Sequence, residues 1–138
     1  MTREDKQLLL KDLSTRLPYK VVVTDGVEDY VPTSPFLYRY IEMGCKPYLR
    51  PMSSMTDEEK EELLNLLFDK EAKYFYIDKE GTIDGKTFDL MKEGFNYPAF
   101  CTTNIVLYTD WLNEHHFDYR DLIKKSLAIV APEGMYKI

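Results

Sequence analysis

The chain has 138 residues, of which 44% are hydrophobic and 14% aromatic, enough to build a core and too many for a globally disordered chain. Lys and Arg number 18 against 24 Asp and Glu. The resulting net charge of −6 disfavours broad attachment to nucleic acid or to an anionic membrane. The length predicts one domain over residues 1–138.

Neither the cysteines nor the N-terminus is typical of an exported protein. Cys45 and Cys101 are far apart and form no CxxC motif, so two reduced thiols in a cytoplasm are expected. The N-terminal run MTREDKQLLLKDL (1–13) is charged from its third residue and lacks the apolar region of a signal peptide. No stretch approaches the ~18 apolar residues that span a bilayer. We therefore expect a soluble, cytoplasmic protein with no membrane segment.

The first predicted helix begins after Thr2, which can cap its N-terminus. Glu4 and Asp5 then place negative charge in the first turn, where the helix dipole favours it. Pro18 ends the helix because it has no amide proton and disfavours helical geometry in the preceding residue. A leucine stripe at helical spacing marks the buried face: Leu9, Leu10, Leu13 and Leu17.

Three short strands are predicted next. The β-branched run YKVVVT (19–24) leads into the turn Asp25-Gly26, after which VEDYV (27–31) can return antiparallel. FLYRYIEM (36–43) alternates two sets of side chains, which suits a third strand with one wetter face. Together these runs predict a small antiparallel meander.

The segment GCKPYLRPMSSM (44–55) contains a glycine and two prolines and predicts a loop. Its apolar side chains either cover the core or form a contact surface for a partner. The C-terminal run LAIVAPEGMYKI (127–138) predicts an edge strand or a docked arm, or an oligomer contact if it is exposed. The candidate interaction surface in these two segments is Tyr48, Met52, Met55, Met135 and Tyr136.

The next helix has a capping-box sequence. Thr56 precedes Glu59 by three residues, and the first turn is acidic. The apolar face that follows consists of Leu63, Leu64, Leu66, Leu67 and Phe68. Beyond it, residues 72–100 predict a short hairpin with turns at two glycines. The acidic run DKEGTIDG (78–85) lacks the spacing and the closing glutamate of an EF-hand loop, so no calcium site is predicted.

The run WLNEHHFDYRDLI (111–123) holds the only tryptophan and both histidines. A helix capped at Thr103 or Asn104 would carry both histidines near its C-terminus. Neighbouring helical residues point about 100° apart, so the two imidazoles cannot face one metal ion. His115 lies four residues after Trp111 and His116 four after Leu112, so the spacing predicts that one histidine extends the apolar face and the other tends outward.

A zinc site needs three or four converging ligands. The local candidates are His115, Asp118 and Glu114. Asp118 has a competing role, because DYRDLIKK (118–125) is typical of a new helix with this aspartate as its N-cap. A carboxylate that accepts backbone amide protons is a weak metal ligand, and we therefore predict no bound metal and no cofactor.

An enzyme stays open as an alternative. Its metal or acid–base centre would use His115, His116 and Asp118, because a histidine beside carboxylates can titrate near neutrality. No phosphate-binding loop, zinc-peptidase motif or serine-hydrolase motif accompanies these residues. The sequence therefore leans against an enzyme.

A DNA-binding regulator is the other alternative. The predicted helix pair over 105–128 is similar to a helix-turn-helix, and Arg120, Lys124 and Lys125 would give its second helix a basic face. The turn lacks the usual glycine and the chain is acidic overall. Nucleic acid is therefore not the favoured partner.

Three segments, 1–19, 46–63 and 110–138, together resemble a family of uncharacterised small proteins from gut Bacteroidetes and their prophages or mobile elements. They read MTREDKQLLLKDLSTRLPY, KPYLRPMSSMTDEEKEEL and DWLNEHHFDYRDLIKKSLAIVAPEGMYKI. Asp121 and Ser126 stand where that family has glycine, which predicts a firmer final helix. The resemblance implies a bacterial or phage-borne intracellular setting and carries no activity, ligand or catalytic residue.

The sequence as a whole predicts an α+β domain in which a small antiparallel sheet packs against three to four helices. The predicted function is a non-enzymatic interaction or accessory module. Its expected partner is another protein or a second copy of the chain, and no feature specifies a small-molecule ligand.

Overall fold

The computed structural model describes residues 1–67 and 98–136. The helices in these ranges are α1 (Arg3–Arg16), α2 (Leu37–Glu42), α3 (Asp57–Leu67) and α4 (Pro98–Glu114). The strands are β1 (Val23–Thr24), β2 (Asp29–Tyr30), β3 (Lys46–Pro51), β4 (Phe117–Asp118) and β5 (Ile129–Val130). The predicted α+β class is confirmed. The hairpin predicted within 72–100 falls almost wholly outside the described residues.

The chain divides into two compact units. The first comprises Met1–Arg50 and Asn113–Ile138, and the second comprises Pro51–Leu112. The prediction that residues 1–138 form one domain stays a prediction. No helix within 1–67 or 98–136 is both long and apolar enough to cross a membrane.

Helix α1 begins as its sequence predicts. The Thr2 hydroxyl accepts the Asp5 amide proton (3.1 Å), and the Asp5 carboxylate accepts the Thr2 amide proton (2.9 Å). These backbone and hydroxyl contacts from Thr2 lower the pKa of Asp5. After Arg16 the chain tightens into a 3₁₀ turn, Leu17–Tyr19, that contains Pro18. At the N-terminus of α1, the reciprocal hydrogen bonds between Thr2 and Asp5 thus satisfy amide groups that a free helix end leaves unpaired.

The sheet order is β2-β1-β3-β4, and β5 pairs with β3. β1 is antiparallel to both β2 and β3, whereas β5 lies parallel to β3. The predicted antiparallel return after the Asp25-Gly26 turn is confirmed, although each of its strands spans only two residues. The parallel β5 makes the sheet mixed, which the prediction of an antiparallel sheet missed.

Residues 34–42 are helical, and the prediction of a strand over 36–43 is wrong. A 3₁₀ turn at Ser34–Phe36 with a proline in its first positions leads into α2. Proline fixes φ near the helical value, which favours a helix start here. Leu37 and Ile41 are both buried and lie four residues apart, so one helix face covers the core.

Residues 46–51 form β3, and the prediction of a loop over 44–55 is wrong for this half. Burial alternates along the strand: Cys45, Pro47 and Leu49 are buried, and the residues between them are partly exposed. That two-residue period is the signature of a half-buried strand. The two prolines of this segment had indicated a loop and so outweighed the strand pattern. Pro47 pairs with Val23 of β1 although it has no amide proton for the ladder.

The second helix predicted after Asp118 is absent from the described residues 115–136. Its place is taken by the two-residue strand β4, a run of turns and β5. Asp121 and Ser126 have φ values of 57° and 61°, in the left-handed region that a right-handed helix excludes. These are the two positions at which the resembling family has glycine. The predicted firmer final helix, and with it the second half of the 105–128 helix pair, is wrong.

In the second unit the capping box of α3 is confirmed. The Thr56 amide donates to the Glu59 carboxylate, and the Glu59 amide donates to the Thr56 hydroxyl, both at 3.1 Å. Further along the helix, Glu62 accepts a hydrogen bond from the Trp111 indole N–H of α4 at 3.2 Å. The polar edge of a buried tryptophan normally finds such a partner. The described part of α4 begins at Pro98, earlier than the predicted caps at Thr103 or Asn104.

The apolar core of the first unit is built from α1, α2, β1, β3 and the C-terminal turns. Its members are buried and contact one another in a single cluster. They are Leu9, Leu13, Val21, Val23, Leu37, Ile41, Cys45, Leu49, Leu122, Leu127 and Ala128. Residues from both ends of the chain thus complete one core.

Replacing Ser126 with glycine should stabilise the protein by roughly 0.5–1 kcal/mol, because glycine adopts positive φ without a steric cost. The measurement is the free energy of unfolding from urea denaturation. Ser53→Gly is the control, since Ser53 is exposed and does not have positive φ; that change should cost up to about 1 kcal/mol. Equal effects of the two substitutions would contradict strain at residue 126.

Candidate functional site

The first unit contains a buried ion pair between Asp12 and Arg16 of α1. Neither side chain has any exposed surface. Arg16 Nε donates to Asp12 Oδ2 at 2.9 Å, and Arg16 Nη2 donates to Asp12 Oδ1 at 3.2 Å. The i, i+4 spacing places both groups on the helix face that carries Leu9 and Leu13. Such a two-point contact fits the planar guanidinium to the carboxylate.

A second arginine from the C-terminal segment joins this pair. Arg120 Nε donates to Asp12 Oδ1 at 3.2 Å. The guanidinium carbons of Arg16 and Arg120 lie 5.2 Å and 4.8 Å from the centre of the Tyr119 ring. An aromatic face between two cations offsets part of their mutual repulsion. We call Asp12, Arg16, Tyr119 and Arg120 the Asp12 cluster.

Hydrogen bonds fix the edge of the Asp12 cluster. The Tyr119 hydroxyl donates to Asn113 Oδ1 at 2.8 Å, and Thr15 of α1 donates to the same oxygen at 3.2 Å. Asn113 is itself buried. Arg16 Nη2 also donates to the backbone carbonyl of Phe117 at 2.7 Å. Helix α1 is therefore bonded to the segment 113–120 through side chains of both.

The structure buries both histidines, at 3% exposure each. The prediction that one of the two histidines tends outward is wrong, because α4 ends at Glu114 and His116 adopts a φ of 60°. The two imidazoles therefore do not follow a helical arrangement. The His116 carbonyl accepts the Arg50 amide proton at 2.8 Å, which places this reversal beside β3.

His116 lies under the C-terminal arm, the segment 131–136 that follows β5. Its imidazole stacks on the Tyr136 ring at a centroid distance of 3.7 Å. The Tyr136 hydroxyl donates to the Tyr48 carbonyl at 2.7 Å and accepts the Val22 amide proton at 3.0 Å. Burial raises the pKa of Tyr136 to about 12, so this hydroxyl keeps its proton at neutral pH. The arm is therefore docked on the first unit, which was one of the alternatives predicted for residues 127–138.

Burial, followed by the nearby positive charge of Arg16, lowers the pKa of His116 to about 4. His115 and Arg50 act in the same direction, and only a hydrogen bond to the Tyr19 backbone favours the protonated ring. His116 is therefore neutral at pH 7. A neutral, stacked imidazole in this position serves as a packing group.

The other candidate metal ligands do not gather around the histidines. The Asp118 carboxylate accepts the amide protons of Leu122 and Ile123, both at 2.9 Å. Asp118 thus caps backbone amides as predicted, although the segment it caps is a turn. Glu114 is exposed. Within 1–67 and 98–136, no three His, Cys, Asp or Glu side chains are grouped to hold a metal ion.

The residues of the predicted interaction surface belong to both units. Met55 is buried in the second unit, and the Tyr136 hydroxyl is bonded inside the first. Tyr48 is half-buried and donates a hydrogen bond to Asp29 at 3.2 Å. Met52 and Met135 are also only partly exposed. The interaction surface that these five residues would form stays a prediction.

A different segment of the first unit presents apolar side chains to solvent. Within residues 27–43 the exposed large apolar residues are Val27, Val31, Phe36, Tyr38 and Met43, with exposures of 90%, 52%, 53%, 61% and 51%. We call these five residues the apolar segment. The strand predicted over 36–43 would have turned one set of these side chains inward, so their shared exposure was not expected from the sequence. The 3₁₀ turn and α2 instead place them outside.

The turn that carries Val27 is rigidly built. The Asp25 carboxylate accepts the amide protons of Val27 and Glu28, both at 2.8 Å, and these bonds lower the pKa of Asp25. The Asp25 amide donates to the Glu28 carbonyl at 3.2 Å, and Gly26 supplies a φ of 97°. The exposed valine thus stands on a fixed loop.

The chain matches no family model, no curated protein and no solved structure. The resemblance to small Bacteroidetes and prophage proteins accordingly stays an expectation.

Removing the charge of Asp12 should destabilise the protein strongly. Asp12→Asn leaves two arginines without their carboxylate in a buried site, which typically costs about 3–5 kcal/mol. The exposed pair of Lys6 and Glu42 (3.2 Å) is the control, and Glu42→Gln should change the free energy of unfolding by less than about 1 kcal/mol. Urea denaturation at pH 7 measures both. Equal effects would show that the Asp12 cluster adds no more than a surface pair.

His116 should make the protein less stable in mild acid. The unfolded chain binds a proton at the ordinary histidine pKa of 6.5, and the folded chain does so only near pH 4. Stability is therefore complete above pH 6.5 and falls as the pH drops to 4, by roughly 3 kcal/mol in total.

His116→Asn provides the comparison, because asparagine tolerates positive φ and does not titrate. Carboxylates titrate in both proteins, so the difference between their unfolding free energies at pH 7 and pH 4.5 isolates His116. If the unfolding free energies of the two proteins change equally with pH over this range, the pKa of His116 is the same in the folded and unfolded chain, and the prediction is wrong.

Proposed function

We propose that the protein is a non-enzymatic interaction module that binds a protein partner through the apolar segment of its first unit. The observation that carries this proposal is the exposure of Val27, Phe36 and Tyr38, each more than half exposed. Large apolar and aromatic side chains contribute most of the free energy at protein interfaces when they become buried there. A concentration of them on one short segment is typical of a contact surface.

Rigidity of the segment supports this function. Asp25 fixes the turn before Val27, and Leu37 and Ile41 anchor α2 in the core. The rings of Tyr30 and Tyr40, 5.3 Å apart, join β2 to α2. A surface that is already ordered loses little conformational entropy on binding, so more of its contact energy appears as affinity.

Charge around the segment indicates the chemistry of the partner. Asp25, Glu28 and Asp29 are exposed beside Val27, and the whole chain is acidic. Asp29 is the first residue of β2. If β2 paired with β2 of a second copy of the chain, these negative charges would be brought together. A different protein that presents basic side chains around an apolar centre fits better than self-association.

A cytoplasmic, bacterial or phage-borne setting is part of the proposal. Cys45 is a free, buried thiol, and burial raises its pKa with a further contribution from Asp25. A protonated, enclosed thiol is a poor nucleophile and a poor disulfide partner. This supports a structural role for Cys45 in a reducing compartment and does not favour an enzyme that uses Cys45 as its nucleophile.

The test is partner binding by the full chain and by matched surface variants. The tagged protein captures partners from bacterial lysate, and the captured protein is purified for titration calorimetry. Phe36→Ser combined with Tyr38→Ser should weaken that affinity at least about tenfold. Val106→Ser is the control, because Val106 is equally exposed (53%) and lies outside the apolar segment.

Raising the salt concentration should slow association with the wild-type chain, since exposed charges are screened within about 10 Å at 0.1 M salt. A wild-type chain that sediments as a monomer and captures no protein would overturn the proposal. Equal losses for the segment variant and Val106→Ser would overturn the assignment to residues 27–43.

A further inference from the structure

Two buried nitrogens lack a hydrogen-bond partner in the part of the chain that the structure describes. They are Arg16 Nη1 and His116 Nδ1. Arg16 is completely enclosed, and His116 is 3% exposed. Buried polar atoms in folded proteins are nearly always paired, with protein groups or with ordered water.

The backbone geometry brings these two side chains into one corner of the first unit. Arg16, in the last turn of α1, reaches across to the Phe117 carbonyl at 2.7 Å. His116, the residue before Phe117, reaches back to the Tyr19 backbone just beyond the end of α1. Both side chains thus contact the junction between the end of α1 and β4, and Arg16 lies near enough to His116 for its charge to act on the imidazole.

The two nitrogens are chemically complementary. The guanidinium Nη1 carries protons and can only donate. His116 uses Nε2–H toward the Tyr19 carbonyl, since Nδ1 is the unpaired atom. In a neutral imidazole of this tautomer, Nδ1 is an acceptor.

We propose that Arg16 Nη1 and His116 Nδ1 together bind one internal water molecule, which accepts a proton from the arginine and donates one to the imidazole. An anion such as chloride could accept from Arg16 but has no proton for Nδ1. A cation would meet Arg16, Arg50 and Arg120 in the same region. Water offers both functions in the volume of a single oxygen atom.

This water links helix α1 to the C-terminal arm. On one side it completes the hydrogen bonding of Arg16, whose other nitrogens hold Asp12 and the Phe117 carbonyl. On the other it orients the His116 ring on which Tyr136 stacks. The site is independent of the interaction surface proposed above.

A crystal structure of the full chain at high resolution tests the proposal directly. The expected result is one fully occupied water within 2.7–3.2 Å, the ordinary hydrogen-bond range, of both nitrogens. A direct bond between Arg16 and His116, an ion at that position, or no density there would each overturn it.

Solution measurements need no crystal. Nitrogen-15 chemical shifts of the imidazole should report a protonated Nε2 and a hydrogen-bonded, unprotonated Nδ1 for His116 at pH 7. The opposite tautomer would overturn the assignment.

Water-oxygen magnetic relaxation dispersion should show one long-lived internal water fewer in His116→Asn than in the wild type. His115→Asn is the control, because His115 is equally buried, and it should retain that water. Loss of the water in both variants, or in neither, would count against the site.

Discussion

The architecture of the first unit depends on a carboxylate that lies where only apolar groups are expected. Asp12 is fully enclosed, and it satisfies Arg16 from its own helix and Arg120 from the other end of the chain. Each charge would be costly to bury alone. Because none of these three charged groups is stable in the interior without the other two, α1 and the segment 113–120 must fold against each other. The leucines of α1 supply apolar burial, and the ion pairs set which segment packs beside them.

The same constraint accounts for the C-terminal region. The sequence predicts a regular helix after Asp118 that would include Tyr119 and Arg120. The chain instead leaves α4 at Glu114, turns through the left-handed His116 and forms β4. Asp118 then holds two amide protons of the following turn. His116 is buried as a consequence, and its neutral ring forms the surface on which Tyr136 docks.

Interior polarity and surface chemistry have separate roles in this protein. The run that holds both histidines has the composition of a reactive centre, but its side chains and carbonyls contact backbone groups, the Tyr136 ring and arginines of the core. The five side chains of the apolar segment, by contrast, are exposed to solvent. The segment stands on a capped turn and a short helix whose inner faces belong to the core. This division favours binding over catalysis as the proposed activity.

Local sequence determined what local forces control. The caps at Thr2 and Thr56, the helices α1 and α3, the Asp25-Gly26 turn and the amide-capping role of Asp118 follow from neighbouring residues. Tertiary structure decided the rest. Residues 46–51 form strand β3 despite their two prolines because they pair with β1 and β5. Helix α2 forms because Leu37 and Ile41 pack into the core. The Asp12–Arg120 contact joins residues 108 positions apart, and no local pattern encodes such a distance, since its energy exists only once both ends of the chain have been brought together.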